Sequence, residues 1–202
     1  MIRIAFALFG SLAFGTLLAA ADWPFPAGAL GAAAVVVGAV VSRRVWDQRR
    51  KAEQSVPGWR EVAAWHALIG WGVVCGQLAM ALARGVDLHI GQDDRLAFDN
   101  WLLGVAAVVA WLVVRPRDRT RDERDREIDA LGARVGFWTL LGLLAVASPL
   151  IGLAPVAIQE RLTPFVIGNI LIVLLLLGAL AYSTAQLVGY WIDARPGDGL
   201  DA

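Results

Sequence analysis

The sequence predicts an all-α, polytopic membrane protein, a helical bundle of six transmembrane helices with both termini in the cytoplasm. Three observations support this prediction. Apolar residues make up 58% of the 202-residue chain and the mean hydropathy is +0.60, well above the values of soluble domains. Long runs without charged residues recur along the chain. Lysine and arginine are concentrated in alternate connections between these runs.

Six apolar segments are each close to, or longer than, the roughly 17 residues that a spanning helix needs. They belong to one predicted membrane domain covering 1–202 and lie at about 4–21, 26–42, 62–83, 97–114, 135–154 and 165–188. The two connections at 43–60 and 115–134 carry most of the charge.

Fifteen of the 18 lysines and arginines lie in the termini and in the connections 43–60 and 115–134. The positive-inside rule therefore places these parts in the cytoplasm and the chain, as a multi-pass protein, in the cell inner membrane. The first segment has an alternative, because Met1-Ile-Arg3 and Ala19-Ala-Ala21 resemble the ends of a signal peptide cleaved before Asp22. Its apolar stretch of about 18 residues exceeds a signal-peptide core, so we expect a retained helix.

The third segment divides into three stripes when it is drawn as a helix. One stripe is partly polar and holds His66 and Gln77, and a second contains Gly72-x-x-x-Gly76, which allows close helix packing. The third is apolar, runs through Leu68 and Cys75, and is expected to face lipid. This division predicts a helix at the centre of the bundle, with Cys75 as a packing residue.

The connection 115–134 contains seven arginines and six acids, so it must lie in water. Thr120 and Glu123 have the spacing of a capping box, which predicts that a helix begins near Arg121. Without interruption to 148, this helix would be roughly 42 Å long, against about 30 Å for the hydrocarbon core. Its first three turns are expected to form a charged stalk outside the membrane, and a kink or an end is expected around Pro149.

The sequence shows no catalytic, cofactor-binding or metal-binding motif, and we assign no residue to these roles. Asp129 to Arg134 resembles part of the D-G-x-x-A-R core of membrane phosphatidyltransferases, but apolar residues stand where that family needs further aspartates. His89, Asp93 and Asp94 are interpreted as an exposed loop tip rather than a metal site. A formal net charge of zero argues against nucleic acid as a partner.

The segment Asp122-Glu-Arg-Asp125, followed by Ile128, Arg134 and Phe137-Trp138, carries a resemblance. It resembles a group of small, uncharacterised bacterial and archaeal membrane proteins with a cytoplasmic D-E-R-(D/E) motif before a pair of spans. The resemblance covers about 113–192 and implies an inner-membrane protein without an assigned catalytic residue. Some of those proteins accompany small helix-turn-helix regulators, which implies a partner docking on the stalk.

The leading hypothesis is an interaction, regulatory or structural membrane component. In it, the stalk 121–134 binds a protein partner or a second copy of the chain, while the spans contact the lipid bilayer. The candidate docking residues are Asp122, Glu123, Arg124 and Asp125.

The alternative hypothesis is a transporter or channel for ions or small solutes, because polar groups within a membrane are functional candidates. Each such group can also simply hydrogen-bond to a neighbouring helix. The residues of this candidate polar path are His66, Gln77 and Asn169. A membrane-embedded enzyme is the third hypothesis.

Overall fold

The computed structural model of the chain describes residues 1–21, 23, 27–51, 58–84, 95–115, 122–160 and 162–194. This described part contains helices and no strands, as the sequence predicts. The helices are α1 (Ile2–Ala20), α2 (Ala27–Lys51), α3 (Trp59–Ala83), α4 (Arg95–Val114), α5 (Glu123–Gly152), α6 (Val156–Gln159) and α7 (Pro164–Asp193).

Five of these helices, α1, α2, α3, α5 and α7, are long and apolar enough to cross a membrane. The remaining predicted segment, 97–114, corresponds to α4, whose described apolar part, Phe98–Val114, is shorter. The short helix α6, which connects α5 to α7, was not predicted. Five membrane-length apolar helices are therefore confirmed.

Helix α2 extends well beyond the predicted end at 42 and reaches Lys51. The reason is that arginine ends an apolar run without ending a helix, since it is a good helix former. The Arg43 guanidinium donates a hydrogen bond to the Val113 carbonyl and lies 5.5 Å from the centroid of the Trp59 ring. These two contacts stabilise the positive charge of Arg43 at the end of the bundle.

Helix α5 begins at Glu123, with Asp122 as its N-cap, and the Glu123 backbone N–H donates to the Asp122 carboxylate at 2.7 Å. The predicted capping residue Thr120 lies outside the described residues. At the other end, the helix continues past Pro149 to Gly152. Only its last three residues follow the proline, so few hydrogen bonds are affected.

Helix α3 is the central element, since it packs against α1, α4 and α7, as the sequence predicts. The expectation that its apolar stripe faces lipid is wrong: Leu68 is fully buried and Cys75 is 2% exposed. Both belong to a hydrophobic cluster that includes Leu103 and Ala107 of α4 and Leu176 of α7. These neighbouring helices cover the stripe.

The glycine stripe of α3 packs directly against α1. A Cβ atom at Gly72 would overlap the Ser11 side chain, and one at Gly76 would overlap the Leu12 carbonyl. Gly15 of α1 is equally close to the backbone of α3. The predicted close packing is confirmed, and its partner is the first helix.

The two ends of the bundle differ. At one end, which we call the arginine-rich end, Arg43 of α2 contacts Val113 of α4, and Arg60 of α3 contacts Asp125 of α5. At the opposite end, Arg84 of α3 donates to the Ala19 carbonyl of α1 at 2.6 Å. The C-terminal part of α2 and the end of α4 therefore lie at the same end of the bundle as the first turns of α3 and α5.

Candidate functional site

The start of α5 does not stand free as a stalk, because one of its faces packs along the last turns of α7. Ile128, Gly132 and Gly136 on this face are buried. A Cβ atom at Gly136 would lie 3.0 Å from Tyr182 Cβ and 3.1 Å from the Gly178 carbonyl oxygen. Small residues thus let the two backbones approach closely.

This approach brings Asp129 of α5 against polar side chains of α7. The Tyr182 hydroxyl donates a hydrogen bond to the Asp129 carboxylate. Gln186 Nε2 lies 3.1 Å from the same carboxylate oxygen and 2.8 Å from the Tyr182 hydroxyl oxygen. A half-buried carboxylate is thus stabilised by neutral donors from the neighbouring helix.

One turn earlier, Asp125 joins three helices. The Tyr190 hydroxyl of α7 donates to one Asp125 oxygen at 2.9 Å, and Arg60 Nε of α3 lies 3.3 Å from the other. Arg124 forms an ion pair with Asp193 and lies 5.5 Å from the centroid of the Tyr190 ring. We call the set Arg60, Asp125, Asp129, Tyr182, Gln186 and Tyr190 the polar seam.

The roles of Asp129, Tyr182 and Arg60 in the polar seam were missed by sequence reasoning. A usable signal existed, because Tyr182, Gln186 and Tyr190 recur every four residues and therefore share one face of α7. The two aspartates of α5 have the same spacing. Two sets of polar residues with the same four-residue spacing, one on α5 and one on α7, are typical of helices that pair.

The four candidate docking residues have different roles in the structure. Asp122 caps the helix, Arg124 pairs with Asp193, and Asp125 belongs to the polar seam. Glu123 is exposed, and it begins a charged face opposite α7. We call this set the outer face: Glu123, Arg126, Glu127 and Arg134, all exposed.

The residues of the candidate polar path lie in different parts of the bundle. The His66 ring packs edge-on against Trp46, with ring centroids 6.4 Å apart. Gln77 is about 16 Å further along α3, is 1% exposed and donates to Asn100 Oδ1 at 2.9 Å. Asn169 is buried in α7. Within the described ranges, no hydrogen bond joins the three path residues, and the path stays a prediction.

The described residues contain no group of three or more His, Cys, Asp or Glu side chains that could hold a metal ion. His89, Asp93 and Asp94 lie outside the described residues.

No protein-family model matches this chain, and no curated protein or solved structure matches it either.

Proposed function

We propose that this protein crosses the cell inner membrane six times, with both termini in the cytoplasm. We also propose that it presents the outer face of α5 as a docking surface for a cytoplasmic protein or for a second copy of the chain.

Helix length and exposure support the membrane part of this proposal. The apolar part of α4, Phe98–Val114, would extend about 26 Å, close to the roughly 30 Å of a hydrocarbon core. Large apolar side chains point away from the bundle, including Phe6 and Phe9 of α1 and Phe137, Trp138 and Leu150 of α5. Such surface is rare on soluble monomers and favourable in lipid.

The distribution of arginine supports the orientation. The segments 43–60 and 115–134 contain thirteen of the 18 lysines and arginines, and their residues Arg43 and Asp125 make their contacts at the arginine-rich end. Both 30-residue helices, α5 and α7, would extend about 45 Å. Both helices are therefore longer than the hydrocarbon core is thick, so the first turns of α5 and the last turns of α7 can extend beyond it at the arginine-rich end.

The observation that carries the docking proposal is the division of α5 into two faces. The polar seam occupies one face and holds the helix against α7 and α3, so the outer face is presented on an ordered element. On it, Glu123 and Arg126 are three residues apart, and Glu127 is three residues from Arg124 of the adjoining surface. Alternating charge of this kind favours specific pairing with a partner of complementary pattern over general attraction.

The resemblance of Asp122–Asp125 to the D-E-R-(D/E) membrane proteins suggests one class of partner. Some of those proteins accompany small helix-turn-helix regulators, so a regulator of this kind is a candidate for the outer face.

A photo-crosslinking residue at Arg126 tests the docking proposal in intact cells. We expect one discrete product, either at twice the 21.7 kDa chain mass for a second copy or at another mass for a partner. Glu123→Gln with Glu127→Gln should abolish this product without lowering the membrane yield. The matched control, Gly142→Leu, lies on the same helix within the apolar part and should leave the product unchanged. Crosslinks to lipid alone would contradict the docking proposal.

A further inference from the structure

A cavity of about 320 Å³ lies between α3, α4 and α7, away from the polar seam. This volume falls in the range of small-ligand sites, roughly 300–1,000 Å³. Nearly all of its lining is apolar. Two of the lining residues, Gln77 and Asn100, have side-chain amide groups. Val74, Leu103 and Ile172 are typical of the remaining walls.

The two amides are buried and incompletely paired. Gln77 is 1% exposed and Asn100 is 7% exposed, and Gln77 Nε2 donates to Asn100 Oδ1 at 2.9 Å. This bond leaves Gln77 Oε1 without a donor and Asn100 Nδ2 without an acceptor. Buried polar atoms without partners are costly, so the pair offers one acceptor and one donor for a ligand.

A hydroxyl group matches this pair best. It can donate to Gln77 Oε1 and accept from Asn100 Nδ2 through a single oxygen atom. An ester or ether oxygen can only accept, and an ammonium group can only donate. No charged residue lines the cavity, so an ionised ligand would lose its hydration without compensation.

The position of the cavity indicates which chemical group the ligand carries beyond its hydroxyl group. Gln77 is six residues from the end of α3, and Asn100 is five residues from the start of α4, so both are about 8–9 Å from the end opposite the arginine-rich end. The lining continues about 13 Å deeper along α4, to Val109. The wall residues Val105 and Val108 are 57% and 45% exposed, which opens the cavity toward the surroundings of the bundle.

We propose that this cavity binds a neutral, long-chain lipid alcohol, whose hydroxyl group pairs with Gln77 and Asn100 and whose chain lies along α4. The proposal does not depend on the docking function of α5. It assigns Gln77, a residue of the candidate polar path, to a lipid site.

Photolabelling of the purified full-length protein in lipid nanodiscs tests the proposal. The probe is a palmityl alcohol that carries a diazirine on its chain. We expect the label on the α4 segment between Trp101 and Val109, and competition by unlabelled palmityl alcohol. Palmityl methyl ether, which cannot donate, and palmitic acid, which is ionised, should compete about tenfold less well, the effect of losing a net hydrogen bond or two.

Two kinds of variant separate ligand binding from helix packing. Gln77→Leu removes the free acceptor and should reduce labelling about tenfold. Because that change also removes a bond between helices, Gly104→Leu provides an independent test: Gly104 lines the cavity, and a Cβ there meets nothing within 4 Å. Its side chain should fill the cavity and abolish labelling while the amide pair stays intact. The control Gly38→Leu is equally unobstructed but lies on α2.

Three results would overturn the proposal. The first is equal competition by the alcohol and its methyl ether, which would show that no donor is needed. The second is undiminished labelling of a folded Gly104→Leu protein. The third is an experimental structure in nanodiscs loaded with palmityl alcohol that shows only water between Gln77 and Asn100.

Discussion

Asp129 is the residue that joins α5 to α7 most directly, since it accepts hydrogen bonds from both Tyr182 and Gln186. Hydrogen bonds to charged groups contribute about 1.5–3 kcal/mol in soluble proteins, whereas bonds between membrane helices average about 0.6 and reach about 1.7 kcal/mol. We expect Asp129→Ala to lower the free energy of unfolding by about 1–2 kcal/mol, measured by denaturant titration in micelles. Glu127→Ala, on the exposed face of the same helix, should change it by less than about 0.5 kcal/mol.

A double-mutant cycle isolates this contact from general effects of truncation. Asp129→Ala combined with Tyr182→Phe should show a coupling free energy of about 0.5 kcal/mol or more, because the hydroxyl and the carboxylate are direct partners. The same cycle with Tyr190→Phe, whose hydroxyl contacts Asp125 instead, should show a smaller coupling. Strictly additive effects for Asp129 and Tyr182 would contradict the hydrogen bond.

At the scale of elements, glycine determines which helices pair. Gly136 of α5 faces the backbone of Gly178, whereas a Cβ at Gly142 on the same helix meets nothing within 4 Å. Gly136→Leu should therefore destabilise the protein by about 1–3 kcal/mol through overpacking, while Gly142→Leu should be nearly neutral. Thermal unfolding in detergent measures both variants, and equal melting temperatures would exclude the close α5–α7 contact.

The pairing of α1 with α3 makes a parallel prediction. In Gly76→Leu the new side chain would collide with the Leu12 carbonyl and force α1 away from α3, so it should destabilise the protein by about 1–3 kcal/mol or more. Gly10→Leu, on an unobstructed face of α1, serves as the control. Release of α1, detected as faster proteolysis of the first helix, should accompany the Gly76 change alone.

At the scale of the whole molecule, the proposed orientation can be tested by labelling. In a Cys75→Ser background, single cysteines are placed at Glu123 and at Glu160, two exposed positions at opposite ends of α5 and the connection that follows it. In spheroplasts, an impermeant maleimide should label Glu160→Cys at once and Glu123→Cys only after permeabilisation. The reverse pattern would contradict a cytoplasmic arginine-rich end.

The sequence by itself determined that the chain forms apolar helices of membrane length and that α3 lies at their centre. Apolar run length, helical periodicity and the spacing of Gly72 and Gly76 are local properties, so they can be read without knowing the neighbours. The end of a helix could not be predicted where no helix-breaking residue is present: α2 continues to Lys51 because charge ends an apolar run without ending a helix.

Only the tertiary structure decided which polar groups meet. Asp129 and Tyr182 are 53 residues apart, and Gln77 and Asn100 are 23 residues apart, so their contacts depend on which helices are neighbours. The burial of Leu68, which was expected to face lipid, has the same origin. In a membrane, apolar side chains are equally favourable against lipid and against protein, so hydrophobicity alone does not determine which helices pack together. Close backbone approach and hydrogen bonds between helices determine this, and both are properties of the assembled bundle.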